Sequence, residues 1–163
     1  MRPTPVLAGL LALPTLAVAT TLVPHTLLQR AEQSDRVVLV QVLSQRVEET
    51  PGAPIPLKTY TRVVVGQNLR GTGPTELTVV QLGGSVGLQT LEIPGDAKFH
   101  IGETAVLFLR CRLAVDRCHL VAMGQGKLDV AGEEVFVQDL FTGKWTRKTL
   151  GNLVSELAIP VKP

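Results

Sequence analysis

The chain has 163 residues, with 16 lysines and arginines against 14 aspartates and glutamates, two cysteines and only 4% aromatic residues. A net charge of +2 argues against a polyanion partner and against a strong electrostatic pull to a membrane surface. Valine, leucine and threonine outnumber the aromatic residues by far, which favours strands over helices.

Met1-Arg2-Pro3-Thr4-Pro5 carries one positive charge and no acid. An apolar run from Val6 to Ala19 follows, interrupted only by Gly9, Pro14 and Thr15. It ends in Ala17-Val18-Ala19, a small-x-small pattern that suits a signal peptidase, whose pocket admits only small side chains. Residues 1–19 therefore read as a cleavable secretory signal, with Thr20 as the mature N-terminus. The competing reading is an uncleaved anchor, because the run extended to Val23 reaches the low end of the roughly 17–25 residues that span a bilayer. Pro14, Thr20 and Thr21 weaken it, and no cysteine beside the run invites a lipid. Cleavage would leave residues 20–163 as one domain, large enough to bury a core. It removes one arginine and no acid, so the net charge falls from +2 to +1. The expected product is secreted or periplasmic, with no stable membrane anchor.

Residues 24–34 read as a short helix, with Pro24 in the first turn and Leu27, Leu28 and Ala31 as its apolar stripe. Val37 to Leu43 form a strand whose continuous apolar run gives way to alternation up to Glu49. Such a strand is buried on both faces and then emerges at an edge. Pro51, Gly52, Pro54 and Pro56 make a loop that cannot pair in a sheet interior. Further strands are predicted over 58–69 and 76–82, the second ended by Gly83-Gly84, and a fourth over 86–93, stopped by Pro94-Gly95-Asp96. Residues 104–111, which include Ala105-Val106-Leu107-Phe108-Leu109, form the expected central strand, with 119–123 returning as its hairpin partner. Lys127 to Val130 and Val135 to Val137 pair through a turn at Ala131-Gly132. Residues 149–158 close the chain as a helix capped by Thr149, with Leu150, Leu153, Val154 and Leu157 at helical spacing.

Cys111 and Cys118 are the only cysteines. An even pair in an exported chain predicts one disulfide, here closing a tight hairpin. So short a loop yields on the order of 2–3 kcal/mol. Two thiols with only His119 adjacent fall short of a zinc site, and a redox pair would be spaced more closely. The predicted fold is mainly β: an antiparallel OB-like barrel of about six to eight strands, with a short N-terminal helix and a C-terminal helix. Closure would hide the edges of Val-rich strands.

An ordered set of short motifs runs through the chain. They are Ser34-Asp35-Arg36-Val37-Val38, Thr61 to Val65 with Leu69-Arg70-Gly71, and Val79 to Gly84. Phe99-His100-Ile101-Gly102-Glu103, Val106-Leu107-Phe108-Leu109 and Gly124-Gln125-Gly126-Lys127 complete it. This layout resembles a largely uncharacterised family of bacterial secreted β-barrel proteins. More loosely, it is similar to the OB-type barrel of netrin-like and metalloproteinase-inhibitor domains. Those inhibitors act through an N-terminal Cys that ligates the protease zinc. Thr20-Thr21 stands at the expected mature start here, so the resemblance does not carry that mechanism over.

Chemistry-bearing motifs are sparse. His25, His100 and His119 are far apart and share no zinc-ligand spacing. Ser34, Ser44 and Ser155 lack the flanking glycines of a nucleophile elbow. Gly83-Gly84-Ser85-Val86-Gly87 lacks the lysine of a phosphate loop and reads as a wide bend. Asp96 and Glu103 are candidates for carboxylates that converge in the fold, although Glu103 is expected to satisfy backbone donors in a turn. Lys144-Trp145-Thr146-Arg147-Lys148 reads as a solvated strand with Trp145 packed on the C-terminal helix, since nucleic-acid binding needs a far wider basic surface. No catalytic, cofactor or metal site is assigned. The preferred reading is an exported, non-catalytic binding module for another exported protein, using residues 50–57 and 83–98 around one barrel face. The alternatives are a protease inhibitor or protease-associated partner, and an enzyme with a dispersed site.

Overall fold

The computed structural model describes residues 23–112 and 117–158. The expected signal with Ala17, Ala19 and Thr20, and the tip of the hairpin between the cysteines, lie outside the described residues. In chain order the elements are α1 (Leu27–Glu32), β1 (Arg36–Glu49), β2 (Leu57–Arg70), β3 (Glu76–Leu82), β4 (Gly84–Val86) and β5 (Gln89–Leu91). Then come β6 (Thr104–Arg112), β7 (Arg117–Leu120), a 3-10 turn (Met123–Gly126), β8 (Lys127–Ala131), β9 (Glu134–Gln138), β10 (Trp145–Thr149) and α2 (Leu150–Leu157).

The apolar run at the start of β1 has partners on both sides. β1 pairs with β2 along its length but with β6 only from Arg36↔Leu109 to Gln41↔Thr104. Burial follows the pairing. Val37, Val38 and Val40 are buried where both neighbours are present, and the strand is largely exposed after Val42, where only β2 remains. The change from apolar run to alternation in the sequence therefore marks where a double-sided partner is lost.

β1, β2, β3, β7 and β6 hydrogen-bond in that order and β6 returns to β1, closing a five-stranded barrel. The pairing is antiparallel except between β3 and β7, which run parallel through Thr78↔Arg117 and Val79↔Cys118. Register shifts in β1 against β2 bend the ribbon as closure requires. β8 pairs with the first part of β6, and β9 and β10 extend the sheet outward. β6 is the central strand: it touches β1, β7 and β8 and is buried on both faces. Ala105, Leu107 and Leu109 join Val38, Val40, Val63, Val79 and Cys118 inside the barrel. Val106 and Phe108 point the other way, into a second core with Leu27, Ala31, Leu128, Val135, Leu153 and Leu157. The helices and the β8–β9 hairpin thus cover one outer face of the barrel.

Three expected elements differ in detail, and the hairpin partner expected over 119–123 is β7, Arg117–Leu120, because the chain turns left-handed at Ala122 and Met123. The first helix starts at Leu27, not Pro24, because Thr26 takes the N-cap in a reciprocal capping box with Gln29. The strand expected over 86–93 is the short β4–β5 hairpin, because Gly87, at φ +58°, reverses the chain. Thr149 caps α2 as its position predicts, accepting from Asn152 N. Cys111 and Cys118 face each other across β6 and β7 and form the disulfide.

Candidate functional site

The Gly83-Gly84 bend frames a large concavity. The chain leaves β3 with φ +85° and +138° at these residues. A Cβ at Gly84 would stand 2.6 Å from Thr59 Oγ1 and 2.7 Å from Val47 Cγ1. Only glycine lets the β4–β5 hairpin lie so close to the β1–β2 ribbon. Thr59 Oγ1 donates to Gly83 O at 2.8 Å, and Gln81 Nε2 donates to Ala97 O at 2.7 Å, which holds the following segment across β3. Between them lies an open groove of about 770 Å3. Gln45 and Arg46 of β1, Thr59 of β2 and Gln81 of β3 line one side, and Ser85 and Lys98 lie among the residues of the other. Leu82, Val86 and Leu88 are large apolar side chains exposed at or beside it. Of the two predicted binding loops, 83–98 lines this groove and 50–57 does not. The latter is a turn joining β1 to β2, tied by Thr50 N to Pro56 O at 2.7 Å.

A second hollow of about 460 Å3 adjoins the groove and brings together residues far apart in sequence: Asp96, His100, Glu103, Lys127, Asp129 and Trp145. Asp96 and Glu103 do line one site, but with different duties. Asp96 Oδ1 accepts from Ala97 N at 2.8 Å, holding its own turn. Glu103 does not serve backbone donors as its turn position suggested. Its carboxylate lies 3.1 Å from Lys127 Nζ, which also bonds Asp129 Oδ1 at 2.8 Å and sits over the Phe99 ring. Burial explains the change: a Lys127 side chain only 9% exposed requires a counter-charge more than a turn requires a cap. His100 Nδ1 stands 3.5 Å from Glu103 Oε2. One lysine thus serves two carboxylates, Glu103 and Asp129, while Asp96 has only its backbone partner.

The remaining predicted residues separate. His25 Nδ1 contacts Val23 O, and His119 Nδ1 contacts Val80 O. Among the described residues no three His, Cys, Asp or Glu side chains gather as a metal ion would require. Ser34 donates to Arg30 O, and Ser155 to Gly151 O, inside or beside their helices. The basic cluster is a solvated strand, β10, with Arg147 paired to Glu134 and Lys148 to Glu156. Trp145, expected against the C-terminal helix, is 58% exposed and lines the hollow instead.

Two buried arginines went unnoticed in the sequence. Arg36 is sealed under the 71–74 turn, bonding Pro74 O and Asn68 Oδ1, and burial lowers its pKa. Arg30, 3% exposed, lies over Phe108 and donates to Thr26 O and Gln125 O. Burial pushes its guanidinium down to about 10. The signal for Arg30 was present: positions 27, 30, 31 and 34 fall on one helical face, and all four are buried. At the opposite end of β1, Tyr60 lies between Arg46 and Arg117. The Arg46 side chain also bonds Glu48 and holds that carboxylate below its usual range.

No protein-family model matches the chain, and no curated protein matches it. The class is set by fold and site alone: a closed five-stranded β-barrel stapled by one disulfide, flanked by extra strands and two helices, with a groove under a glycine-hinged hairpin.

Proposed function

We propose that the protein is an exported, non-catalytic binding module that seats a segment of another exported protein in the groove under the β4–β5 hairpin. The observation that carries this reading is the groove itself. Thr59 of β2 and Gln81 and Leu82 of β3 line it together with the 83–98 segment. We read the barrel as OB-like. Its closing order and its parallel pairing of third and last strands suit that fold, whose ligands lie on the second and third strands and the surrounding loops. Mixed lining, with backbone groups, amides and both charge signs beside exposed leucine and valine, fits a peptide better than a single small molecule. The disulfide fits an oxidising compartment, as does the signal-like N-terminus.

A photo-crosslinking amino acid placed at Leu88, at the hairpin tip, tests this in the producing cell, with Glu133, in the β8–β9 turn, as control. The expected result is a discrete protein adduct from position 88 alone. Adducts of equal yield from both positions, or none from 88, would overturn it.

A further inference from the structure

Arg30 carries a charge that nothing nearby cancels. It is 3% exposed, yet among the described residues no carboxylate lies within ion-pair distance. Nε and Nη1 bond two backbone carbonyls, and Nη2 has no hydrogen-bond partner among the described residues. Carbonyls and the Phe108 face stabilise a cation only in part, and a buried charge ordinarily has a counter-ion. Arg36 is also buried without an acid, but it is closed in by its turn and lines neither of the cavities that meet at Arg30.

Those cavities, of about 230 and 280 Å3, share Arg30, Gln138 and Leu140. Each acid that lines them is committed elsewhere. Asp129 pairs with Lys127, Glu156 with Lys148, and Asp139 accepts from Phe141 N and Thr142 N. Arg30 thus has no acid of its own at ion-pair distance, and Asp139 is the one carboxylate on these walls without a basic partner among the described residues. The backbone that frames the site is strained: Ala122 and Met123 are both left-handed, at φ +54° and +55°. Such residues cost on the order of 1–3 kcal/mol each and persist where surrounding structure imposes them. Here they deliver Gly124 N to Gly95 O at 3.0 Å and bring Gln125 O within reach of Arg30.

We propose that Arg30 anchors a binding site for a small monoanionic carboxylate, whose apolar body lies against Leu128, Phe136 and Leu140. A planar guanidinium fork suits a carboxylate. A dianion would meet the carboxylates of Asp129 and Asp139, while a neutral ligand would leave Arg30 without a counter-charge. The site is separate from the hairpin groove, with which these two cavities share no lining residue.

Trp145 is the only tryptophan and lines the same cavity, so it reports occupancy. Hexanoate is titrated into the full protein at constant ionic strength, with hexanamide and inorganic phosphate as comparison probes. The expected result is a saturable change in Trp145 emission with hexanoate, and binding at least ~10-fold weaker for hexanamide and phosphate. R30Q should weaken hexanoate binding by ~10-fold or more with thermal unfolding still cooperative. Should R30Q fail to fold, R30K retains the charge without the fork and should bind severalfold more weakly. L88S, in the groove hairpin, should leave the titration unchanged, which separates this site from the groove. Equal binding of hexanamide and hexanoate, undiminished binding by R30Q or R30K, or no response in emission or in the amide resonances of residues 124–129 would overturn the proposal.

Discussion

Lys127 and Glu103 form an ion pair that joins β8 to the start of β6. Nζ stands 3.1 Å from Oε1 and 3.2 Å from Oε2, and the lysine side chain is almost wholly buried. The pair is asymmetric, because Lys127 has a second partner in Asp129 while Oε1 of Glu103 is buried without a well-directed hydrogen bond. K127M should therefore destabilise the protein by about 2–3 kcal/mol, since it leaves a largely buried carboxylate unpaired. E103Q should cost only about 1 kcal/mol. Urea denaturation of both variants and of the double variant checks this. The double variant should be more stable than K127M alone, and equal costs for the two single changes would contradict the asymmetry.

The disulfide joins strands that are already paired, Cys111 opposite Cys118, across a short loop. Its contribution is therefore a small loop-closure term. Reduction, or the C111S/C118S variant, should lower stability by about 2–3 kcal/mol and leave the fold intact. Thermal unfolding followed by circular dichroism with and without a reductant measures it. Loss of the folded state on reduction would show that the bridge holds the parallel β3–β7 contact itself.

Gly84 and Gly87 offer a matched pair of substitutions. Both have positive φ, but a Cβ at Gly84 would collide with Thr59 and Val47, whereas one at Gly87 meets nothing within 4 Å. G87A should cost about 1 kcal/mol, from backbone strain alone. G84A should cost about 2–3 kcal/mol, because packing must also yield. It should also move the hairpin off the β1–β2 ribbon and so reduce crosslinking from position 88. The stabilities of the two variants, with amide shifts of residues 84–91, decide the matter.

Asp139 organises the turn that borders the Arg30 cavities. Backbone N–H groups of Thr142 and Phe141 bond its carboxylate and hold its pKa below the usual aspartate value. A carboxyl depressed in the folded state adds stability above its unfolded pKa, and that stability is lost as pH falls through the folded value. The Phe141 and Thr142 amides should therefore keep their shifts at pH 5 and move together only below about pH 3.9, the ordinary aspartate value. D139N should remove the titration. Movement of these amides near pH 4 or above in the wild-type protein would contradict the hydrogen-bonded geometry.

Much of the fold was legible in the sequence because its signals are local. The continuous run at Val37 followed by alternation, the glycine pair after Leu82, the apolar 104–111 stretch and the Thr149 cap each act within one or two strands or turns. The exact start of the first helix was less legible, because Pro24 and Thr26 compete for the same end and the reciprocal Thr26–Gln29 bonds decide it. The 86–93 stretch was misread as one strand because Gly87 is a turn only when both flanks can pair.

The sequence by itself determined strand content, the cysteine pair and the glycine bend, since period, composition and chirality act between near neighbours. Only the tertiary structure decided that β3 and β7 run parallel and that β6 closes back on β1, because closure depends on strands far apart in the chain. The tertiary structure alone also set Glu103 against Lys127 and left Arg30 without an acid. A charge is costly only where water is excluded, and which side chains share such a place is known only once the barrel, its outer helices and the β8–β10 extension have met.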